Sequence, residues 1–194
     1  MKKLTSRQLQ AIKTQREIYE AAIQVLGEVG FDHMTIDKIA RKAGVSVGAF
    51  YHYYKSKNDI LKEVFERGDE YFRQYVKDNI RGENGIERIL SYFDHFAKFY
   101  MLNGIDVIQA LYKAHNTLLA DNSRLIVVML RDIVADGMAR KQICSRLSAD
   151  ELTEYLISAA RGLVFHWCLN DGKYALDEKM NHFFQFWSCS LLPR

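Results

Sequence analysis

Residues 39–57 read "IARKAGVSVGAFYHYYKSK", and they contain the strongest structural signal in the chain. A helical pattern of apolar residues stops at Gly44 and resumes just after Ser46. Glycine permits the backbone conformation that a tight turn requires, and serine often precedes the first turn of a helix. The stretch therefore predicts two short helices joined by a tight turn, which together form a helix-turn-helix unit.

Small and apolar residues on both sides of the turn fit the same unit. Ala40 is small where the two helices must approach each other closely. Ile39, Val45 and Phe50 are apolar where the helices pack on each other and on the helix that precedes them. The agreement of these positions with Gly44 is a stronger signal than the glycine alone.

The second helix of the unit, predicted over residues 46–53, begins with small residues. A helix-turn-helix protein reads DNA with the N-terminal end of this recognition helix in the major groove. Small side chains let the helix lie deep in the groove, where Ser46 can form a hydrogen bond and Val47 or Ala49 can contact a thymine methyl group. None of these residues makes the two-point contact between arginine and guanine. Much of the sequence preference is therefore expected to come from DNA shape.

Aromatic and basic residues crowd the far end of the recognition helix. Tyr51, His52 and Tyr53 carry hydroxyl and imidazole groups that can reach phosphate oxygens. Lys55 and Lys57 add positive charge, and Lys57 lies at the predicted start of the fourth helix, where free N–H groups favour an anion. The predicted DNA-binding residues are Thr35, Ser46, Val47, Gly48, Ala49, Tyr51, His52, Tyr53, Lys55 and Lys57.

Each of these residues also has a structural explanation. Helix capping alone is sufficient to explain Thr35 and Ser46. The tyrosines can be core aromatics, and Tyr54 is expected to be one. The lysines can belong to a solvated surface. The combination of all these features at once is what favours nucleic-acid binding.

The segment from residue 16 to residue 61 resembles the DNA-binding domain of TetR-family transcriptional regulators. The resemblance is specific because it joins the turn, the recognition helix and a tyrosine–lysine phosphate pair at fixed spacing, and it covers about the first third of the chain. It departs at Tyr54, where the family usually has Phe, so a buried hydroxyl there needs a partner. The matching positions are Gly30, Phe31, Thr35, Ile39, Ala40, Ala43, Gly44, Val45, Ser46, Gly48, Tyr51, Lys57 and Leu61.

The resemblance implies an all-α protein of nine helices with two domains. Residues 1–57 would form the DNA-binding domain, and residues 58–194 would bind an effector and dimerise. It also implies a homodimeric repressor that binds a double-stranded, pseudo-palindromic operator. A small apolar or amphipathic effector held by helices five to eight would shift the fourth helix and release the DNA.

Composition independently supports a helical protein with a basic N-terminal region. Of 194 residues, 48% are hydrophobic, and Pro193 is the single proline, so long helices can run without a break. Residues 1–57 hold ten Lys or Arg against five Asp or Glu, whereas the remainder holds 17 against 19. This asymmetry favours an N-terminal module that meets a polyanion, although chance clustering of solvated charge gives the same count.

Several functional classes are disfavoured. Cys144, Cys168 and Cys189 are odd in number and widely spaced, which argues against a disulfide framework and a cysteine-rich zinc site. We expect no metal, no cofactor and no membrane partner, and a cytoplasmic protein that joins the nucleoid when bound to DNA. An enzyme is disfavoured because the sequence lacks a nucleophile elbow, a phosphate loop and a paired carboxylate motif.

Helical spacing continues through the rest of the chain and predicts six more helices. A fourth helix is expected to begin with a capping box of Ser56 and Asp59 and to run to about residue 80. A later helix is expected to begin with a second box, formed by Ser148 and Glu151. Asp177 is expected to cap the last helix.

The last two helices carry aromatic residues beside small ones, which suits a large, core-like interface with a second copy. Packing within one chain explains the same stripes. The predicted interface residues are Leu156, Ala160, Leu163, Trp167, Phe183, Phe184 and Trp187.

The effector site has no motif, and apolar stripes of helices five to eight are the only guide to it. Such stripes are also typical of ordinary core. The predicted apolar lining is Phe93, Phe96, Phe99, Tyr100, Met101, Ile108, Tyr112, Val128 and Phe165, with Asp94, His95, His115 or His166 as polar groups. A DNA-bound protein of the same fold that is gated by a protein partner, without a small effector, remains an alternative.

Overall fold

The computed structural model of the chain describes residues 5–113, 119–189 and 191. Within these residues it contains nine α-helices, one π-helical segment and no β-strand, which confirms the predicted all-α fold. The chain divides into two compact units, Met1–Val64 and Phe65–Arg194. The division falls inside the fourth helix, seven residues beyond the boundary predicted between residues 57 and 58.

The first unit begins with helix α1, Ser6–His33. A capping box starts it, because the Thr5 side chain accepts the Gln8 N–H at 3.3 Å and the Gln8 side chain accepts the Thr5 N–H at 2.8 Å. The regular helix is interrupted at Gly30, where φ is 72° and ψ is 165°, near the predicted end. The buried face of α1 consists of Ile18, Tyr19, Ala21, Ala22, Val25 and Leu26.

Two short helices follow, α2 at Ile36–Ala43 and α3 at Val47–Tyr53. Ile39 and Phe50 are completely buried, and Ala40 is 2% exposed. These three side chains are the ones expected to hold the helix pair together. Their burial confirms the packing predicted at these positions, whereas Val45, also predicted to pack, is partly exposed.

Helix α4 spans Lys57–Tyr71 and continues as a π-helical segment, Phe72–Val76. The predicted α-helix to residue 80 is therefore too long. Both Phe72 and Val76 are fully buried. Residues four apart lie on the same side of a helix, so both side chains face the interior.

The second unit is built from five further helices: α5 Gly85–Asn103, α6 Ile105–Lys113, α7 Leu125–Ala139, α8 Ala149–Leu169 and α9 Leu176–Ser188. The Ser148–Glu151 capping box is present as predicted. The predicted cap at Asp177 is wrong. Helix α9 begins two residues earlier, after Ala175, and the Asp177 carboxylate accepts the N–H of Glu178 at 3.0 Å within the first turn.

Helix α5 forms the centre of the second unit and packs against α6, α7, α8 and α9. The rings of Phe93 on α5 and Phe184 on α9 are stacked in parallel, with centroids 3.7 Å apart. Helices α5 and α7 approach most closely at Gly85 and Gly137, where a methyl group on Gly85 would lie 2.9 Å from the Gly137 Cα. No helix in the described part of the chain is long and apolar enough to cross a membrane.

Candidate functional site

The turn between α2 and α3 has the backbone geometry that the sequence predicts. Gly44 is left-handed, with φ of 69° and ψ of 27°, and this conformation favours glycine. The Val45 N–H donates to the Ala40 carbonyl at 3.0 Å and closes the end of α2. The two helices are therefore fixed at a defined angle by the backbone itself.

Both helices of the unit begin with a side-chain cap. The Thr35 hydroxyl accepts the Lys38 N–H at 3.3 Å, and the Ser46 hydroxyl accepts the Ala49 N–H at 3.1 Å. The capping explanation for Thr35 and Ser46 is thus confirmed. Both residues also remain exposed, so capping does not exclude a contact with DNA.

The N-terminal end of α3 presents small residues to solvent. Ser46, Val47 and Gly48 are exposed, and Ala49 is partly buried. An added methyl group on Gly48 would meet only the Ser46 hydroxyl oxygen, 3.8 Å away. Packing within the chain therefore gives no reason for glycine at this helical position, where it lowers helix stability by about 1 kcal/mol relative to alanine. A close approach by a partner gives such a reason.

The aromatic end of α3 is divided between surface and core. Tyr51 is 53% exposed and His52 is also exposed, whereas Tyr53 is partly buried. Tyr54 is 4% exposed, as expected for a core aromatic. Its hydroxyl lies within hydrogen-bonding distance of the Glu63 carboxylate and 3.4 Å from the Gln15 carbonyl oxygen, so the buried hydroxyl has the partners it requires.

Lys57 begins α4 as predicted, but its side chain is already engaged within the first unit. Its ammonium group donates to the carbonyls of Phe31 at 2.8 Å and Met34 at 3.3 Å, and it lies 4.4 Å from the centre of the Phe31 ring. An ammonium group has three donors, so one N–H remains for a phosphate oxygen. Lys55 is exposed, and its backbone N–H donates to Asp59 at 2.7 Å.

Sequence reasoning did not select two further cations on α2. Lys38 is exposed and its ammonium group donates to the His33 carbonyl at 3.0 Å. Arg41 is exposed and forms no ion pair with a described residue. The available signal was their position on either side of the buried pair Ile39 and Ala40, because polar residues of an amphipathic helix lie outside its buried face.

The structure does not assemble the predicted effector residues into one pocket. Phe93, Phe96 and Ile108 are at most 1% exposed and Tyr100 is 5% exposed, so these four belong mainly to the core. The His95 ring nitrogen lies 3.4 Å from the carbonyl oxygen of Asn79, which precedes α5 in the chain. His115 lies outside the described residues.

Three other predicted residues, Val128, Tyr112 and Phe165, border two separate cavities, and Asp94 borders a third. Val128 lines a cavity of about 300 Å³ with Asn122, Val127, Arg131, Asp150, Thr153 and Glu154. Tyr112 and Phe165 are together in the second, with ring centroids 5.3 Å apart. This cavity, of about 380 Å³, is further lined by Gln109, Lys113, Cys168, Leu169 and Asp171.

The predicted dimer residues also divide into two groups. Leu156, Ala160, Trp167 and Phe184 are between 0 and 6% exposed in the single chain. The prediction that these four residues contact a second copy is wrong, because they fill the chain's own core. Leu163 and Trp187 are partly exposed, and Phe183 is 36% exposed. Three apolar side chains outside the predicted interface set, Tyr155, Leu169 and Phe186, are 61%, 66% and 84% exposed.

Comparison with known proteins supports the same reading of the first unit. Residues 18–64 match the family described as "Bacterial regulatory proteins, tetR family". The chain is 24% identical over 167 residues to the fatty acid metabolism regulator protein of Bacillus subtilis (strain 168), and the alignment covers 82% of this chain and 86% of the relative.

Solved structures with the same fold extend over nearly the whole chain. A TetR transcription regulator from Haloarcula marismortui has a TM-score of 0.72 and 20% identity, covering 93% of this chain and 99% of that one. The regulator FadR from Bacillus subtilis, in complex with stearoyl-CoA, has a TM-score of 0.65 and 22% identity, covering 88% and 95%. FadR from Thermus thermophilus, a TetR-family repressor in complex with lauroyl-CoA, has a TM-score of 0.66 and 19% identity, covering 93% and 96%.

A capped helix pair with an exposed recognition helix, followed by a larger helical unit, defines a DNA-binding transcriptional regulator of the helix-turn-helix class. The match over residues 18–64 specifies the family within this class that the segment resembles. This helix-turn-helix segment matches the TetR family, and the relatives aligned over more of the chain support a TetR-family regulator.

Proposed function

We propose that this protein is a homodimeric repressor that binds a pseudo-palindromic operator and is released by a small amphipathic effector. The observation that carries the proposal is the exposed start of α3, where Ser46, Val47 and Gly48 offer a surface without bulky side chains. A helix of this kind can enter the major groove deeply enough for its backbone and methyl groups to contact bases. Tyr51 and the neighbouring cations then fix its register on the phosphates.

Exposed apolar side chains of α8 and α9 support dimerisation. Tyr155, Leu169 and Phe186 are each more than 60% exposed, and large exposed apolar side chains on one pair of helices favour a surface that another copy covers. Phe183 and Leu163 lie on the same two helices. A second copy covering these helices would also place two recognition helices for adjacent major grooves, about 34–36 Å apart on the DNA.

The choice of effector class is supported by the relatives. Two solved structures of the same fold hold acyl-CoA molecules, and the relative aligned over most of this chain is a fatty acid metabolism regulator. An acyl-CoA combines a long apolar chain with an anionic head, which fits a helical unit rich in buried aromatic residues. We therefore propose a long-chain acyl compound as the effector.

Release would operate through α4, which starts at Lys57 beside the recognition helix in sequence and ends in the second unit. A ligand that binds the second unit better when α4 is displaced shifts the population away from the DNA-binding arrangement. A coupling of roughly 1–3 kcal/mol changes operator affinity several-fold to about a hundredfold. Such a regulator acts at the chromosome, so we place it in the cytoplasm, with the nucleoid when it is bound.

The proposal is tested by selecting an operator from random DNA and measuring affinity by fluorescence anisotropy. Tyr51→Ala is expected to weaken binding at least tenfold by removing a phosphate contact. Tyr75→Ala is the matched control, because Tyr75 is similarly exposed, at 59%, but lies outside the helix-turn-helix unit. Palmitoyl-CoA is expected to release the wild-type protein. Equal losses for both variants, or a selected site with a single half-site, would contradict the proposal.

A further inference from the structure

The first turns of α1 bury no side chain. The helix begins at Ser6, but its first buried residue is Ile18, and every described residue before Ile18 is exposed or partly exposed. Even the large apolar side chains of Leu9 and Ile12 are 55% and 56% exposed. A short helical segment without packing is only marginally stable in water, so a contact outside the chain gives this segment a reason to be there. We call residues 6–16 the N-terminal arm.

The positive charge of the first unit is concentrated at the same end of the chain. Residues 1–16 hold five Lys or Arg and no Asp or Glu, whereas residues 17–57 hold five of each. The excess of positive charge therefore does not come from the helix-turn-helix pair. Three of the five cations, Arg7, Lys13 and Arg16, lie in the N-terminal arm.

The three cations of the arm are available to a ligand. Arg7 forms no hydrogen bond or ion pair with a described residue. Lys13 lies 3.7 Å from Glu17 and Arg16 lies 3.6 Å from Glu20, and the two basic side chains are 60% and 62% exposed. Exposed pairs of this kind contribute little to stability. Both cations can therefore exchange a carboxylate for a phosphate oxygen at little cost to the fold.

The base of the arm lies beside the end of α3. The Gln15 carbonyl oxygen is 3.4 Å from the hydroxyl of Tyr54, the residue that follows α3, and the Gln15 side-chain amide donates to Glu63 at 3.4 Å. Tyr51 and Lys55, on either side of Tyr54 in sequence, are exposed and are predicted to contact phosphates. The arm is therefore continuous with the proposed DNA-binding surface of the same unit.

We propose that the N-terminal arm binds the phosphate backbone of DNA next to the groove that α3 enters. The inference rests on the proposed function, since it adds a second contact to the same complex. At a rise of about 1.5 Å per residue, Arg7 lies about 12 Å along the helix from Gln15, which equals three to four base pairs at about 3.4 Å each. Phosphate contacts of this kind raise affinity without reading base sequence.

A lipid surface is the other common polyanion, and the composition of the arm disfavours it. A helix that lies in a membrane interface buries a broad apolar face. The apolar residues of the arm are only Leu9, Ala11 and Ile12. Most of the others are Ser, Thr or Gln, whose hydroxyl and amide groups can also donate to phosphate oxygens. DNA is therefore the partner that fits both the composition and the position of the arm.

The test compares the full chain with a triple variant that neutralises the arm. Glutamine removes the charge and keeps a similar helix propensity. The variant combines Arg7→Gln, Lys13→Gln and Arg16→Gln. Fluorescence anisotropy measures its affinity for the selected operator and for a scrambled duplex of equal length, over a series of salt concentrations. Circular dichroism and thermal unfolding establish that it is folded.

The matched control removes the same number of positive charges from exposed positions of the second unit. It combines Lys77→Gln, Arg140→Gln and Arg146→Gln. Because the two variants have the same net charge, any difference between them reflects where the charges lie. The control is expected to keep the salt dependence of the wild type.

The arm variant is expected to bind both duplexes at least tenfold more weakly at low salt. The slope of log affinity against log salt should become shallower by about two to three, because each phosphate contact contributes about 0.9. The ratio of operator to scrambled affinity should stay within about threefold, since the arm reads no bases. A wild-type slope in the folded arm variant overturns the proposal, and so does an equal change of slope in the control.

Failure of the proposed function is a separate outcome. Equal affinity of the wild-type protein for operator and scrambled duplex would contradict a sequence-specific repressor, while the slope on the scrambled duplex would still decide the role of the arm. Vesicles of equal parts phosphatidylglycerol and phosphatidylcholine test the lipid alternative by sedimentation. Wild-type binding to these vesicles that is lost in the arm variant, together with an unchanged slope on DNA, would assign the arm to a membrane and overturn the proposal.

Discussion

Arg124 and Asp69 form a two-point ion pair that joins α4 to the first turn of α7. The guanidinium donates to the two carboxylate oxygens at 3.0 and 3.3 Å, and it also donates to the Phe65 carbonyl at 3.0 Å. The Arg124 side chain is 10% exposed, and its guanidinium lies 4.6 Å from the centre of the Phe65 ring. A single side chain thus binds two positions of α4 one turn apart.

Asp69→Asn is expected to lower the free energy of unfolding by about 3 kcal/mol, because it leaves the enclosed Arg124 charge without its counterion. Urea denaturation measures the change. Asp136→Asn is the control. It is expected to cost less stability, since Asp136 is paired with the more exposed Arg88 and Arg140. If α4 transmits the effector signal, Asp69→Asn should also change the effector concentration needed for DNA release. Equal stability losses for the two variants would show that enclosure of the Arg124–Asp69 ion pair does not increase its contribution to the free energy of unfolding.

The Gly48→Ala variant is expected to lower operator affinity without lowering the stability of the fold. Because an added methyl group has open space around it within the chain, the variant is expected to be as stable as the wild type or up to about 1 kcal/mol more stable. Operator affinity is expected to fall at least fivefold, since the methyl group would occupy space needed by the DNA. Thermal unfolding and fluorescence anisotropy on the same preparations measure the two quantities.

The control for this change is Gly162→Ala on α8, where an added methyl group also meets nothing within 4 Å. It should leave stability equal to that of the wild type or slightly higher, as Gly48→Ala does. It should not weaken the binding of each recognition helix to the operator. Unchanged operator affinity in Gly48→Ala would show that α3 does not lie deep in the groove.

The helix-turn-helix unit could be predicted almost completely from the sequence because its determinants are local. Gly44 requires its left-handed backbone, and Thr35 and Ser46 each cap the helix that follows them. Each signal depends on residues within four positions along the chain. The inward engagement of Lys57 could not be predicted this way, because its partners, the carbonyls of Phe31 and Met34, are more than twenty residues distant.

The second unit could be predicted only as helices, because apolar periodicity does not specify which neighbour covers which face. Phe184 and Phe186 illustrate the difference. The first is 1% exposed and stacks on Phe93, whereas the second is 84% exposed, although both belong to the same aromatic run.

Phe186→Arg is expected to convert a dimer into a monomer, because it places a charge on the most exposed large apolar side chain of α9. The fold should persist, since the Phe186 side chain contributes little to the core of a single chain. Light scattering coupled to size-exclusion chromatography measures the mass, which is 22.6 kDa for one chain. Glu178→Arg, another exposed change on α9, is the control. A dimer that survives Phe186→Arg would place the interface elsewhere.

Cys168 is expected to react with iodoacetamide more slowly than Cys144 and Cys189. Cys144 and Cys189 are exposed, whereas Cys168 is buried, and burial raises the pKa of Cys168 to about 11. Only the thiolate reacts with iodoacetamide. A raised pKa therefore lowers the reactive fraction, to about 0.1% at pH 8, against roughly a quarter for an unperturbed thiol. Mass spectrometry should show two fast modifications at pH 8 and a third that accelerates nearly tenfold per pH unit between pH 8 and 10. Cys168→Ala should abolish the slow modification alone, and three equal rates in the native protein would contradict the burial of this thiol beside Tyr112 and Phe165.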